Sequence, residues 1–215
     1  MAMNLKNSAL LIVDVQNDFL PGGALAVGGG EEVIPLINAL QQHFNFIVAT
    51  QDFHPADHGS FAANHEGKKV GEVIDLNGLP QFLWPVHCVQ GSMGVEFHEE
   101  LNPTNWTAIF QKGKNSEVDS YSGFFDNARR EDTGLGDFLQ NEGIMNVFVT
   151  GLAQDYCVKF TALDSVSLGF KTFLITDATK AVNVNVSDEE KALEEMKNAG
   201  VVLIESSAIL DHVRI

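Results

Sequence analysis

The run Asn146-Val147-Phe148-Val149-Thr150, continued by Gly151-Leu152-Ala153-Gln154-Asp155-Tyr156-Cys157, decides how this chain folds. Its first part is rich in β-branched and aromatic residues and reads as a buried strand. Val158 to Val166 then reads as a helix, with Phe160, Leu163 and Val166 at helical spacing. Cys157 therefore falls at a strand-to-helix turn, near the positive end of the helix dipole. A helix N-terminus favours a thiolate, and the thiolate is the nucleophile. Position alone leaves Cys157 with two readings: a catalytic cysteine, or a small buried hydrophobe.

Outward from this unit the same alternation repeats. Ser8 to Val13 is an apolar strand ended by Asp14, and Pro21-Gly22-Gly23 is a turn. Glu31 to Phe44 reads as a helix with Val33, Ile37, Leu40 and Phe44 as its apolar stripe. Phe46 to Thr50 is a second strand and Trp106 to Gln111 a third, ending at Lys112. Leu135 to Asn141 is a short helix closed by Gly143, and Gly169 is the expected end of the Cys157 helix. Lys171 to Thr176 and Val201 to Ile204 supply two further strands. Between them Ser187-Asp188-Glu189-Glu190 looks like a capping box, with Ala192, Leu193, Met196 and Ala199 as the helix face behind it. Strands alternating with helices predict an α/β fold, three layers around a mostly parallel sheet of six strands. The segment after Pro55, as far as about Asn105, shows no strong periodicity, yet it holds Trp84, Cys88 and four of the seven histidines. It reads as a site-building excursion, and Ser116 to Asn127 as an aromatic-rich loop. No repeat, low-complexity tract or linker divides residues 1–215, so a single domain is expected.

Composition narrows the partners. The formal net charge is −16, from 13 basic and 29 acidic residues, which argues against a nucleic-acid or anionic-membrane partner. The two cysteines form no disulfide framework, and the apolar run at Ala9–Val13 is too short for a signal peptide or a membrane span. A reduced, cytoplasmic protein acting on a small molecule is expected, as a monomer or a homo-oligomer.

Ligands of parallel sheets bind outside the carboxyl ends of the strands. Asp14, Asp52 with His54, Lys112 and Cys157 each follow a strand, so one crevice can gather them. Cysteine, carboxylate and ammonium together suit acyl transfer. Asp14 takes the thiol proton, Lys112 supports the thiolate and lowers its pKa, and the N–H groups of Ala153 and Cys157 form an oxyanion hole. Asp52 and His54, two apart on an extended segment, join His87 as a two-histidine, one-carboxylate metal set with open positions, and His58 is a fourth candidate. His65 and His98 read as surface residues. On the residues alone three classes stay open: a cysteine hydrolase with an accessory metal, a metal-centred enzyme such as a non-haem iron oxygenase, and a silent binding domain.

The motifs Asp14-Val-Gln-Asn-Asp-Phe19, Asp52-Phe-His-Pro-Ala-Asp-His58, Trp84-Pro-Val-His87-Cys88, Phe110-Gln-Lys112-Gly and Gly151-Leu-Ala-Gln-Asp-Tyr-Cys157, in this order, resemble the nicotinamidases (pyrazinamidases) of the isochorismatase-like hydrolases. Val118-Asp-Ser-Tyr-Ser-Gly-Phe-Phe-Asp-Asn127 is similar to the bacterial and fungal members. The resemblance implies hydrolysis of nicotinamide to nicotinate and ammonia in NAD salvage, with pyrazinamide as a surrogate substrate. It implies Cys157, Asp14 and Lys112 as the catalytic residues, and a cis peptide before Ala153. It implies a divalent metal on Asp52, His54 and His87, zinc first, with iron(II) or manganese(II) as alternatives. Some members add a histidine matching His58 as a ligand; others place water there. Ser60 is expected beside a metal-bound water, and Cys88 as packing next to His87. Phe19, Trp84, Tyr121 and Tyr156 are the expected aromatic walls for a flat ring. Phe53, where many members carry Trp, Val86 and Gln111 are mild departures. The runner-up is a related amidohydrolase, with or without metal, acting on another small amide or ureido substrate.

Overall fold

The strand that begins the chain is sealed on both sides. In the computed structural model, which describes residues 5–211, β1 (Ser8–Val13) is buried at every position. Its side chains alternate between two apolar clusters. Leu10 and Ile12 point into one, Ala9, Leu11 and Val13 into the other. β2 (Ile47–Asp52) lies parallel to it on one side and β6 (Asn146–Leu152) on the other. β5 (Ala108–Lys112), β7 (Lys171–Lys180) and β8 (Val202–Ile204) complete a parallel sheet of order β5-β2-β1-β6-β7-β8.

Helices cover both faces. α1 (Val33–Gln41) lays Val33, Ile34, Ile37 and Leu40 on the first cluster, joined by Ile209 of α5 (Ser207–Leu210). α2 (Leu135–Asn141), α3 (Lys159–Ser167) and α4 (Asp188–Asn198) cover the second with Leu135, Leu139, Ala162, Ala192 and Met196. The expected three layers and six strands are present. Among the described residues no helix is long and apolar enough to cross a membrane.

Several local expectations are corrected. The segment after Pro55 is not without regular structure: β3 (Val73–Leu76) and β4 (Leu79–Phe82) pair as an antiparallel hairpin. Its turn is Asn77-Gly78, both at positive φ (53° and 85°), a dipeptide that is itself a hairpin signal. A helical turn with the wider π spacing, Gln154–Val158, carries Cys157, and α3 starts only at Lys159. α3 buries Thr161, Ala162 and Ser165, and its Phe160, Leu163 and Val166 are only half-buried. The polar pair is satisfied, Thr161 Oγ1 accepting from Gly123 N–H at 2.9 Å and Ser165 Oγ from Thr172 at 2.8 Å, which lets small side chains sit where large apolar ones were expected. Ser187 precedes α4 but makes no capping bond, because its backbone (φ −108°, ψ 9°) is not extended. Asn183 Oδ1 instead receives Glu189 N–H at 3.0 Å. Ala199 lies past the last turn and is exposed.

Candidate active site

Four neighbouring strands end on one edge of the sheet, and each delivers a polar side chain there. Asp14 follows β1 at φ 47°, Asp52 closes β2, Lys112 closes β5, and β6 leads into the turn that holds Cys157. Gly151 is required at that last step. Its φ is +104°, and a Cβ there would come within 2.1 Å of the Val13 carbonyl oxygen. The Leu152–Ala153 peptide is cis, as the resemblance implied, and Ala153 O accepts the N–H groups of Tyr156 and Val158, which bracket Cys157, both at 3.1 Å.

The Lys112 ammonium is the hub. It is fully buried and stands 2.9 Å from Asp14 Oδ2, 3.0 Å from Asp52 Oδ1, 3.0 Å from the Ser120 carbonyl and 3.4 Å from Cys157 Sγ. Burial alone would strip its proton. Attraction to Asp14, Asp52 and Cys157 outweighs that and holds the ammonium well above its ordinary pKa. Thr50 donates to Asp14 Oδ1 at 2.7 Å. Burial lifts the Asp14 pKa, Lys112 pulls it down, and the nearby Asp52 charge tips the balance upward. As expected, Lys112 acts to lower the Cys157 pKa, but it does not set the net direction. Burial foremost, with Asp14 and Asp52 alongside, pushes it well above the ordinary thiol value. A thiol whose pKa burial pushes up gains from a base in contact when it acts as a nucleophile.

Asp52 faces the other way with its second oxygen. Asp52 Oδ2 lies 3.0 Å from His54 Nε2 and 3.5 Å from His87 Nε2. Both rings are turned by backbone carbonyls, His54 Nδ1 by Gly113 O and His87 Nδ1 by Pro85 O, each at 2.8 Å. A carbonyl accepts only from N–H, so in the neutral rings Nε2 carries the lone pair that points into the cradle. The three donors converge closely enough for one cation, and their chemistry fits a divalent metal. His58 is buried beside them, its ring 4.3 Å from that of His54 and its Nδ1 2.7 Å from Ser60 Oγ. Its Nε2 has no protein partner, and burial and then His54 lower its pKa to about 4. Ser60 thus engages His58 directly.

The four aromatic residues expected around a ring all line one cleft of ≈ 370 Å³ together with Asp52, His87, Ala153 and Cys157. The Trp84 indole N–H donates to Tyr121 OH at 3.1 Å, and Trp84 meets Tyr156 edge-on at 4.8 Å between ring centroids. Leu25, Asp119 and Val182 line it as well and were not anticipated. Asp119 lay unremarked inside the quoted Val118–Asn127 run. Val182 reaches the cleft because Asp155 accepts from its backbone N–H at 2.9 Å, a tertiary contact with no local signal. Cys88 is fully buried, bonded through its backbone N–H to Asp18, and unpaired as a thiol, as expected. His65 and His98 are half-buried and not free surface residues: His65 bonds the Gly59 carbonyl at 2.7 Å, and His98 accepts from Glu100 N–H.

Residues 8–208 match the isochorismatase domain. The chain belongs to the isochorismatase family. Within that family it is similar to the nicotinamidase of Escherichia coli strain K12, with 48% identity over 199 residues, 91% of this chain and 93% of the relative. A solved Acinetobacter baumanii nicotinamidase/pyrazinamidase superposes with a TM-score of 0.92 at 48% identity, covering 95% of this chain and 98% of that one. The pyrazinamidase of Pyrococcus horikoshii, solved in complex with zinc, superposes with a TM-score of 0.75 at 37% identity, covering 93% and 99%. An isochorismatase-family frame with a buried thiol, a carboxylate and an ammonium in contact can run acyl transfer through a covalent intermediate.

Proposed function

We infer that this protein is a nicotinamidase, a single-domain amidohydrolase that converts nicotinamide to nicotinate and ammonia in NAD salvage and also deamidates pyrazinamide. The observation that carries the reading is the contact set around Lys112. One buried ammonium joins Asp14 to Cys157, and Cys157 lines an aromatic cleft. The nicotinamidases at 48% identity support the choice of amide.

The reaction follows from what these residues can hold and move. The aromatic walls, Phe19, Trp84, Tyr121 and Tyr156, sandwich a flat pyridine ring and exclude water from it. Asp14 accepts the Cys157 proton as Sγ attacks the carboxamide carbon. Burial pushes the thiol pKa up, and the raised pKa of Asp14 makes that carboxylate the better base for the proton. The negative charge that develops on the carbonyl oxygen is met by the N–H groups of Ala153 and Cys157. Asp14 returns the proton to the amine as the C–N bond breaks, and ammonia departs from a thioester. Water then attacks the thioester carbon, giving its proton to Asp14. The C–S bond breaks and Asp14 reprotonates the sulfur as nicotinate leaves. Lys112 keeps both anions in place throughout. Asp52, His54 and His87 would hold a divalent ion, with zinc as the first choice, iron(II) and manganese(II) as alternatives and His58 as a further donor; such an ion would supply Lewis-acid chemistry toward the ring nitrogen. The cytoplasmic setting expected from the two unpaired cysteines is part of the same proposal.

The test is ammonia release from nicotinamide and from pyrazinamide, with wild type and Cys157→Ala compared. Release by wild type, lost in the variant with the fold intact, is expected. Metal-replete wild type that releases none from either amide overturns the assignment.

A further inference from the structure

We propose that Gln16 is a positioning residue that fixes the metal cradle by extending the sheet with its side chain. The inference rests on the functional reading above only in taking Asp52 and His87 as metal ligands.

β1 pairs with β2 as far as Val13 opposite Thr50, and Asp14 N–H still reaches Thr50 O at 3.3 Å. The chain then leaves the sheet, while β2 runs on to Asp52. On its other flank β2 stays paired, with Asp52 opposite Lys112. On the abandoned flank the backbone of Asp52 would face the interior with nothing to bond. Gln16 fills that place. Its Oε1 accepts from Asp52 N–H at 2.8 Å, and its Nε2 donates to the Asp52 carbonyl at 2.8 Å. The side-chain amide thus imitates a peptide group one step beyond the end of β1. Its orientation is fixed by these partners, since the flipped amide would set oxygen against carbonyls and N–H against N–H.

The second Nε2 proton goes to the Val95 carbonyl at 2.8 Å, which also takes Gln51 at 3.0 Å. Val95 belongs to the segment that follows His87. The same short loop binds that segment at several further points. Asn17 N–H bonds Glu96 O at 2.9 Å, Asp18 N–H bonds Gly94 O at 3.1 Å, and Asp18 Oδ2 accepts from Cys88 N–H at 2.7 Å. Gln16 is fully buried, so all of its hydrogen-bonding capacity toward Asp52 and Val95 acts in a dry setting. It therefore locks Asp52 to the strand that carries Asp14 and to the segment that carries His87. A ligand set is only as exact as the groups that orient it, and loss of such an orienting partner typically weakens metal binding by about 10–100-fold.

The experiment measures zinc affinity of the whole chain by competition with a chromophoric chelator, without substrate, for wild type, Gln16→Met and Gln16→Glu. Met fills the volume and removes every bond. Glu keeps the acceptor for Asp52 N–H and loses both donors, so it serves if the Met variant fails to fold. The expected result is a zinc Kd raised roughly 10–100-fold, with KM nearly unchanged and kcat recovered by added zinc. A merely structural glutamine would lower the metal-free melting temperature and leave the Kd of the folded variant at the wild-type value; that outcome overturns the proposal. Wild type without measurable zinc affinity overturns it together with the metal part of the functional reading. Wild type that binds zinc but releases no ammonia sinks the substrate assignment alone, and an affinity loss in the variants then still supports the role of Gln16.

Discussion

The ends of β1 and β2 carry the same residue, an aspartate buried against the same ammonium, yet the two carboxylates are driven apart. Burial pushes both pKa values up. For Asp52 the His54 ring and Lys112 reverse this and bring it well below the ordinary carboxylate range. For Asp14, Lys112 and a threonine hydroxyl do not suffice, and the value stays raised. The difference is the pair of imidazoles at 3.0 and 3.5 Å from Asp52. A carboxylate that holds its charge suits a cation cradle, and one poised to take a proton suits acid–base work. Two carboxylates thus divide the labour by their neighbours.

Breaking the Asp14 side gives the largest effects. Cys157→Ala is expected to abolish ammonia release, a fall in kcat on the order of 10⁶-fold by comparison with other covalent catalysts. Asp14→Asn should lower kcat by about 10²–10⁴-fold, the span of a lost general base. Both variants are expected to keep their metal, which elemental analysis of the purified protein reads directly. Metal lost from Asp14→Asn would show that the two carboxylates are not separable. The Asp52 side breaks differently. Asp52→Asn removes a ligand, and its zinc affinity is expected to fall by more than the roughly 100-fold seen for orienting partners, with activity following metal content. Asp52→Asn that still binds zinc like wild type would remove Asp52 from the cradle.

A pH titration sharpens the same contrast. His54 is raised above its ordinary 6.5, because Asp52 overcomes the opposing effect of burial. In the metal-free protein this interaction stabilises the fold fully below pH 6.5 and is lost as pH rises through the higher folded value. Zinc needs the neutral ring, so its affinity should already be weakening at a pH above 6.5 as the medium is acidified, and the proton released on binding is measurable by calorimetry in two buffers. Asp52→Asn should move the onset of that weakening downward. An onset unchanged in the variant would mean that Asp52 does not hold the His54 proton.

How much of this was legible follows the range of the signals. The apolar runs and their spacing mark β1, β2, β6 and α1 because burial on a sheet or helix face is a local, periodic demand. Since parallel strands present their carboxyl ends together, Asp14, Asp52, Lys112 and Cys157 could be gathered without a structure. What escaped depends on partners far off in the chain. The net pKa of Cys157 is set by how deeply it is buried, which no neighbour in sequence reports. Gln16 reads as an ordinary polar residue until β2 is seen to outrun β1. The hairpin at Asn77-Gly78 was legible, and was hidden only by the irregular sequence around it.

The smallest expected effect lies in the aromatic wall, which belongs to neither carboxylate. Tyr121→Phe keeps the ring and removes the hydroxyl that accepts the Trp84 indole N–H at 3.1 Å. Trp84 also stacks edge-on with Tyr156, so its plane is held from two sides, and losing one support should loosen it without dislodging it. A hydrogen bond of this kind contributes about 1 kcal/mol, close to a fivefold change in an equilibrium. KM for nicotinamide should therefore rise a few-fold, with kcat within a factor of about two, because the Tyr121 hydroxyl is bonded to the wall and not to the Asp14–Lys112–Cys157 set. A fall in kcat beyond tenfold at constant KM would place the hydroxyl among the groups that act on the reacting amide, and would extend the acid–base side of the site across the cleft.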